Sequence, residues 1–222
     1  MANYIVTVQE IIPRTHNVNS YRVSKPSGFE FVPGQATDLS INHPDWIKEK
    51  RPFTFTALPE EDYLEFTIKS YDDHEGVTHR LRSLKTGDTF EISDAWGAIN
   101  YQGEGAFIAG GAGVTPFIAI FRQLKRQGKI GNNRLIFSNR TVQDIILRDE
   151  FDQILGKNFI NVITRQPTTE YFAGKVDRSF IIKHLAPLDG HFYVCGPDPF
   201  TEVILNILKE LGANAQSLVF EK

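Results

Sequence analysis

The chain has 222 residues, of which 41% are apolar, with one cysteine and a formal net charge of −3. Such a chain forms one large or two small globular domains, and its lone cysteine excludes an internal disulfide and a cysteine-ligated iron–sulfur cluster within this chain. It shows no run of about 18 apolar residues, no signal-peptide pattern and no basic cluster. A cytoplasmic protein without a membrane span, a metal site or a nucleic-acid partner is therefore expected.

The first hundred residues predict short antiparallel strands. Six segments are rich in β-branched or aromatic residues, and turn residues such as Pro33-Gly34 and Thr86-Gly87-Asp88 separate them. One short helix, with Thr78 as its N-cap, fits before the last strand. Several short strands with one helix predict a small closed barrel. The predicted strands are Tyr4–Ile12, Ser20–Val23, Thr37–Ile41, Phe53–Ala57, Tyr63–Tyr71 and Thr89–Ile92.

From residue 106 onward, apolar strands alternate with helical segments. This alternation is typical of a doubly wound parallel sheet with helices on both faces. The glycine-containing stretch 102–105 marks the predicted boundary, which divides the chain into domains 1–103 and 104–222. The strands are predicted at Ala106–Ala109, Arg134–Ser138, Phe159–Ile163, His191–Cys195 and Gln216–Phe220, and the helices near 116–126, 147–155, 178–185 and 198–211.

A glycine-rich turn joins the first of these strands to the first helix. It reads Gly110-Gly111-Ala112-Gly113-Val114-Thr115-Pro116. A strand, a glycine turn and a helix start let backbone N–H groups face a phosphate at the positive end of a helix. Residues 106–222 carry 14 Lys and Arg against 11 Asp and Glu, which is consistent with an anionic ligand. A tight turn without any ligand is the alternative.

Three further motifs line up with this turn: Arg51-Pro52-Phe53-Thr54, Gly76-Val77-Thr78 and Cys195-Gly196-Pro197. In this order, on a barrel followed by a doubly wound sheet, the four motifs resemble those of the ferredoxin–NADP reductase superfamily of flavoproteins. The likeness covers essentially the whole chain. It implies an antiparallel Greek-key barrel that binds FAD and a second domain that binds NADPH or NADH, and no iron–sulfur domain is expected.

In the barrel, the resemblance assigns Arg51 to the flavin pyrophosphate, where a planar fork of donors suits two phosphate oxygens. Phe53, after Pro52, replaces the usual tyrosine on the isoalloxazine ring, and the hydroxyl of Thr54 serves the ring nitrogen that accepts hydride. The strand at Ile68 and Lys69 runs along the flavin, and Gly76, Val77 and Thr78 form a second pyrophosphate loop. A solvated lysine and a plain helix cap are the respective alternatives.

In the second domain, the resemblance places Asn139 and Arg140 beside the nucleotide, and Arg165 on the 2′-phosphate of NADPH. Cys195 lies beside the nicotinamide carbon, and the Gly196-Pro197 turn opens the last long helix. Glu221 resembles a glutamate that stands near the end of some family members, and this resemblance implies a carboxylate near the nicotinamide site. Three of these assignments have an alternative, in which Arg140 lies in a surface loop without a ligand, Cys195 is a small buried hydrophobe, and Phe220 is simply a core residue at the end of the last strand.

The resemblance implies a monomeric reductase that passes hydride from NADPH or NADH to FAD, with FMN as the alternative flavin. Electrons then go to a separate carrier such as a flavodoxin or ferredoxin. Thr54, Cys195 and Glu221 are the candidate catalytic residues. Two alternatives stay open: a flavin-binding electron-input or regulatory subunit, and an unrelated α/β domain that binds only a phosphorylated ligand.

Overall fold

The computed structural model describes residues 3–71, 76–97, 99–214 and 218–220. Its first half is an antiparallel sheet of six strands in the order β4-β3-β6-β1-β2-β5. A short helix, α1 (Val77–Leu81), precedes the last strand in sequence. The strands are β1 (Asn3–Thr15), β2 (Val18–Ser24), β3 (Ala36–Ile41), β4 (Arg51–Thr54), β5 (Tyr63–Lys69) and β6 (Thr89–Ser93).

The two edge strands of this sheet meet at one end. A β-bridge joins Phe55 to Phe66, and the N–H of Thr56 donates to the carbonyl oxygen of Glu65 at 2.7 Å. Alternate side chains of the strands point inward, because successive residues of a strand face opposite sides. They form a continuous apolar core that includes Leu64 and Phe66. The predicted barrel is confirmed.

The second half is a parallel sheet in the order β10-β9-β8-β7-β11-β12. One apolar core covers one face and a second core covers the other, so the strands are buried on both sides as parallel strands require. The predicted doubly wound sheet is confirmed. Its elements are β7 (Gly105–Gly110), α2 (Thr115–Arg126), β8 (Arg134–Asn139), α3 (Arg148–Leu155), β9 (Phe159–Ile163), β10 (Phe172–Ala173), α4 (Arg178–Leu185), β11 (His191–Cys195), α5 (Asp198–Glu210) and β12 (Leu218–Phe220).

Three local predictions differ from the structure. Thr78 is not the N-cap of α1: Gly76 takes that place with an extended backbone, and no side chain caps the helix. The strand predicted at 53–57 instead spans Arg51–Thr54, because pairing with β3 ends there and the chain crosses toward β5. The short β10 was not predicted, since two residues carry no periodicity.

The predicted boundary at 103/104 lies between the last barrel strand and the first strand of the parallel sheet, and it stays a prediction. The domains share an interface in which Val18 and Ile99 pack into the core beneath α2. Within the described ranges, no helix combines the length and apolar character that a bilayer crossing needs.

Candidate functional site

A cleft of about 780 Å³ opens where the carboxyl ends of the parallel strands face the barrel. Ligands of open α/β sheets bind outside these strand ends. The barrel contributes the end of β5 and the β1–β2 turn. The described lining consists of His16, Asn17, Lys69, Ser70, Tyr71, Gly110, Gly111, Ala112, Ser138, Asn139, Arg140, Thr141, Gln143, Asp144, Thr164, Arg165, Pro197 and Phe200.

The glycine turn is a single 3₁₀ turn that leads directly into α2. Gly111 has a φ of +53°, and the space where its Cβ would lie is open. Gly113 is required by packing rather than by the approach of an anion to the backbone, because a Cβ there would stand 2.3 Å from the carbonyl oxygen of Cys195. Thr115 Oγ1 donates to the Ala112 carbonyl at 3.0 Å. The turn therefore takes its shape from packing against the end of β11.

Asn139 ends β8 and lines the cleft with a buried side-chain amide. Neither its Oδ1 nor its Nδ2 has a hydrogen-bond partner within the described chain. Its main-chain carbonyl is satisfied by the N–H of Thr164 at 2.9 Å. Because a buried amide without partners is unfavourable, this residue fits a site whose polar ligand completes its hydrogen bonds, as the predicted nucleotide would.

Two exposed arginines stand at the same edge of the cleft. Arg140 follows β8 and Arg165 follows β9, and the N–H of Arg165 donates to the carbonyl of Arg140 at 2.9 Å. The side chain of Gln166 accepts from the N–H of Val142 at 2.9 Å, which joins the two loops further. The paired loops hold both arginines at one edge of the cleft, and guanidinium groups suit phosphate oxygens as hydrogen-bond acceptors.

Lys69 reaches across the cleft from the barrel. Its Nζ lies 3.7 Å from Oδ1 of Asp144, and His16 Nε2 lies 3.8 Å from the same oxygen. Asp144 also accepts from the N–H and Oγ1 of Thr141 at 2.9 and 2.8 Å. Burial would raise the pKa of Asp144, but the Thr141 hydrogen bonds and the Lys69 charge hold it below its ordinary value. Lys69 is thus a cleft residue rather than a freely solvated lysine.

The predicted flavin residues Arg51, Phe53 and Thr54 lie on the barrel and, unlike Lys69, are outside the described lining of the cleft. Arg51 opens the edge strand β4, is about half exposed, and donates to Glu49 Oε2 at 3.2 Å and to the Lys50 carbonyl at 2.8 Å. Phe53 and Thr54 follow, both half-buried. An exposed guanidinium on an edge strand suits a pyrophosphate.

Two residues predicted to bind the flavin point into the barrel core. The side chains of Ile68 and Val77 are buried there, so only their backbone is available to a ligand. Val114 of the glycine turn is likewise buried, in the core beneath α2. The predicted contacts at these three positions can therefore be made by main-chain groups alone.

Cys195 ends β11 half-buried, without a disulfide, next to the glycine turn. Pro197 lies in the cleft and is the N-cap of α5. A Cβ on Gly196 would stand 2.8 Å from the ring of Phe200, so this turn requires glycine. Glu221, the third candidate catalytic residue, lies outside the described residues.

Apart from Lys69, sequence reasoning missed the barrel's share of the cleft. His16, Asn17 and Tyr71 belong to barrel loops that meet the second domain only in three dimensions. Two omitted residues carried a readable signal: Thr141 and Asp144 form a capping box, with Thr and Asp three residues apart. That pattern predicts a helical turn after β8, although it does not predict the contact with Lys69.

Comparison with known proteins agrees with this geometry. Residues 4–97 match an FAD-binding domain family, and residues 107–205 match the oxidoreductase NAD-binding domain family. NADH-cytochrome b5 reductase 1 of Aspergillus terreus is 30% identical over 89% of this chain and 74% of its own length. The reductase component of propane 2-monooxygenase from Rhodococcus jostii is 26% identical over 97% of this chain and 62% of its own.

Solved structures share the fold. A ferredoxin NADP+ reductase from Neisseria gonorrhoeae with bound FAD and NADP superposes with a TM-score of 0.85 at 18% identity, over 100% of this chain and 98% of that one. The chain spans 51–63% of the length of the first five curated relatives it matches.

These matches and the two-domain architecture define the class of protein: an FAD-binding barrel domain followed by an oxidoreductase NAD-binding domain. The chain belongs to the ferredoxin–NADP reductase-like family.

Proposed function

We propose that this protein is an NAD(P)H-dependent reductase that delivers electrons to a separate protein carrier such as a flavodoxin or ferredoxin. The observation that carries the proposal is the cleft. There the unpartnered amide of Asn139, the glycine turn and two arginines face strand β5 of an FAD-binding barrel. Bound FAD would supply the chemistry, since it accepts a hydride and releases electrons singly.

The chain's own residues bind, align and exclude water. Arg51 holds the flavin pyrophosphate, and the backbone around Gly76 adds donors. Thr54 and Cys195 orient the reacting rings from opposite domains, because hydride transfer depends on close and aligned approach. Phe200 packs against Gly110 and Gly196 and narrows the cleft beside the nicotinamide.

Two observations favour different nucleotides. Arg140 and Arg165 at the ends of β8 and β9 favour NADPH, whose 2′-phosphate a guanidinium recognises. The A. terreus relative bears the name of an NADH enzyme, which favours NADH. Replacing Arg165 by Ala separates these alternatives, since it weakens NADPH binding and leaves NADH binding unchanged only if the 2′-phosphate contacts this residue.

A second candidate is the electron-input component of a larger oxygenase. The R. jostii relative, which this chain matches over 97% of its length, is named as a reductase component. A free-standing reductase reduces a small carrier in dilute solution. An input component transfers electrons efficiently only inside its complex, so the rate of transfer to isolated flavodoxin, ferredoxin and cytochrome b5 distinguishes the two.

The proposal is tested by the absorbance spectrum of the purified protein and by anaerobic stopped-flow mixing with NADPH and NADH. We expect one FAD per chain and rapid bleaching of the flavin by at least one nucleotide. Cys195→Ala should keep FAD and slow bleaching, because the ring that it orients loses a contact. A colourless protein that does not bind added FAD, or a flavin that stays oxidised with both nucleotides, would overturn the proposal.

A further inference from the structure

A cluster of buried charges lies between the domains, outside the described lining of the cleft. At its centre is Glu65 on β5, whose side chain is 1% exposed. Its carboxylate accepts from Arg122 Nη1 at 2.7 Å and from Thr56 Oγ1 at 3.0 Å. Arg22 Nε and Arg14 Nη2 follow at 3.2 and 3.6 Å. A carboxylate this deeply buried is tolerated only when it is paired and hydrogen-bonded.

Arg122 connects the two domains within this cluster. Its Nη1 donates to two barrel acceptors, the Glu65 carboxylate and the Thr56 carbonyl, both at 2.7 Å. Its Nε and Nη2 hold the carboxylate of Glu150 on α3 at 2.6 and 3.0 Å. Burial opposes the charge of Arg122, yet the hydrogen bonds to Glu150 and the charge of Glu65 raise its pKa. A rigid planar fork with four directed bonds specifies an orientation as well as a contact.

The cluster sits on the same elements that carry the binding regions. Strand β5 carries both Glu65 and Lys69, and Lys69 lines the cleft. Thr56 follows the predicted flavin strand β4 by two residues. Arg122 lies on α2, seven residues after Thr115, where the helix leaves the glycine turn. At 1.5 Å per residue, this separation is about 10 Å along a rigid rod.

Apolar packing at the interface holds the two domains together but does little to fix their relative orientation. Val18 and Ile99 of the barrel side pack into the core beneath α2, and apolar contacts tolerate small rotations because they are non-directional. The directed hydrogen bonds of Arg122 do not tolerate such rotations.

We propose that Arg122 is a positioning residue: through Glu65 and Thr56 it fixes the angle between the domains, and thereby the approach of the nicotinamide site to the flavin site. This inference rests on the reductase function proposed above. Neither Arg122 nor Glu65 belongs to the described lining of the cleft. Each acts by holding α2, and with it the glycine turn, at one orientation against β4 and β5.

The chain offers a matched control on the same helix. Arg126 lies one turn further along α2 and also pairs with the barrel, through Glu60 at 2.8 Å, but its side chain is 56% exposed. Arg122→Met and Arg126→Met remove the same charge and leave similar volumes. Only the first removes directed, buried bonds, because exposed pairs contribute little.

The kinetic test uses the FAD-loaded protein and the nicotinamide nucleotide that reduces it. We expect Arg122→Met to keep one FAD per chain and a nucleotide Kd within about twofold. Its limiting rate of flavin reduction should fall roughly 10- to 100-fold, as a misplacement of about 1 Å predicts. The charge-transfer absorbance of the mixed complex should weaken in parallel. Arg126→Met should match wild type within about twofold. A wild-type limiting rate in Arg122→Met would overturn the proposal.

A distance measurement gives a readout independent of activity. Spin labels at Lys48→Cys on the barrel and Lys157→Cys on the second domain, both exposed positions, report the interdomain distance in a Cys195→Ser background. We expect Arg122→Met to broaden or shift this distribution and Arg126→Met to leave it unchanged. An unchanged distribution in Arg122→Met would overturn the proposal.

If Arg122→Met does not fold, Glu65→Gln carries the same two tests, since it keeps the side-chain shape and removes the charge. Should neither nucleotide reduce the wild-type protein, the reductase function fails, and the distance measurement alone still decides the role of Arg122.

Discussion

The two anion-binding regions that we propose are built in opposite ways. In the barrel, the proposed principal donor is Arg51, a half-exposed side chain on an edge strand that pairs with Glu49 at the surface. In the second domain, the proposed donors are a backbone turn held against Cys195 and a buried amide at Asn139. On this proposal, binding depends on charge in the first region and on shape in the second.

The difference has an energetic consequence. A long exposed side chain gives up about 1.5–2 kcal/mol of rotamer freedom when a ligand orders it. A braced turn and a buried amide are already ordered and lose little on binding. Removal of charge should therefore harm the flavin region most, and distortion of the backbone should harm the nucleotide region most.

The largest effect is expected for Arg51→Ala. Its charge-assisted bonds to the pyrophosphate are worth about 1.5–3 kcal/mol, so the Kd for FAD should rise roughly 10- to 100-fold. Titration of the apoprotein with FAD, followed by flavin fluorescence, measures this. Lys50→Ala is the control, because Lys50 is the adjacent cation and pairs with Glu91 at 3.0 Å. Unchanged FAD affinity in Arg51→Ala would show that FAD binding in this region does not depend on the charge of Arg51.

Gly113→Ala tests shape in the nucleotide region. The new Cβ would stand 2.3 Å from a main-chain oxygen of Cys195, so the turn must shift. We expect a loss of about 1–3 kcal/mol in the free energy of unfolding, together with weaker nucleotide binding. Urea unfolding measures the first effect. Gly111→Ala, where the new Cβ meets open space, should cost about 1 kcal/mol through its positive φ alone. Equal losses in both variants would show that the Cys195 contact does not brace the turn.

Asn139→Ala should separate binding from stability. Its side chain has no hydrogen-bond partner among the residues that the structure describes, so the free energy of unfolding should change by less than about 1 kcal/mol. The Kd for the nucleotide should rise about 3- to 10-fold, the value of one neutral hydrogen bond. Isothermal titration calorimetry measures the affinity.

Asn161→Ala is the matched control for this prediction. Asn161 is also buried with an unpartnered Oδ1, but it lies within β9 and outside the described lining of the cleft. Its variant should bind nucleotide normally. A similar loss of affinity in both variants would argue against a direct contact from Asn139.

The smallest effect concerns the contact between Lys69 and Asp144 across the cleft. Because the pKa of Asp144 is lowered in the folded protein from its ordinary value of 3.8, its charge stabilises the fold above that value. The contribution disappears as the pH falls through the lower folded-state pKa. Asp144→Asn should lose about 1 kcal/mol at pH 7, and the difference from wild type should shrink steadily below pH 4. A difference that stays constant with pH would assign the loss to packing.

Much of the architecture was predictable because its signals are local. Segments rich in β-branched and aromatic residues between turn residues marked the barrel strands, and apolar strands alternating with helical segments marked the parallel sheet. Seven of the predicted site residues lie in the described lining of the cleft, whereas the motifs at residues 51–54 and 76–78 contribute none to it. The seven are Lys69, Gly111, Ala112, Asn139, Arg140, Arg165 and Pro197. The prediction of Thr78 as the N-cap of α1 was wrong, since a threonine and a glycine before a helix are both acceptable caps and only backbone geometry selects between them.

The sequence by itself determined the two domain types, their order and the residues that resemble a flavin and nucleotide site, because strand and helix periods and short motifs are properties of neighbouring residues. Only the tertiary structure decided whether the outer face of β5 is exposed or buried. Glu65, Thr67 and Lys69 alternate with apolar residues as a solvated face would, yet Glu65 is buried against Arg122, 57 residues away. Burial of that face depends on where a second domain packs, and no local pattern records it.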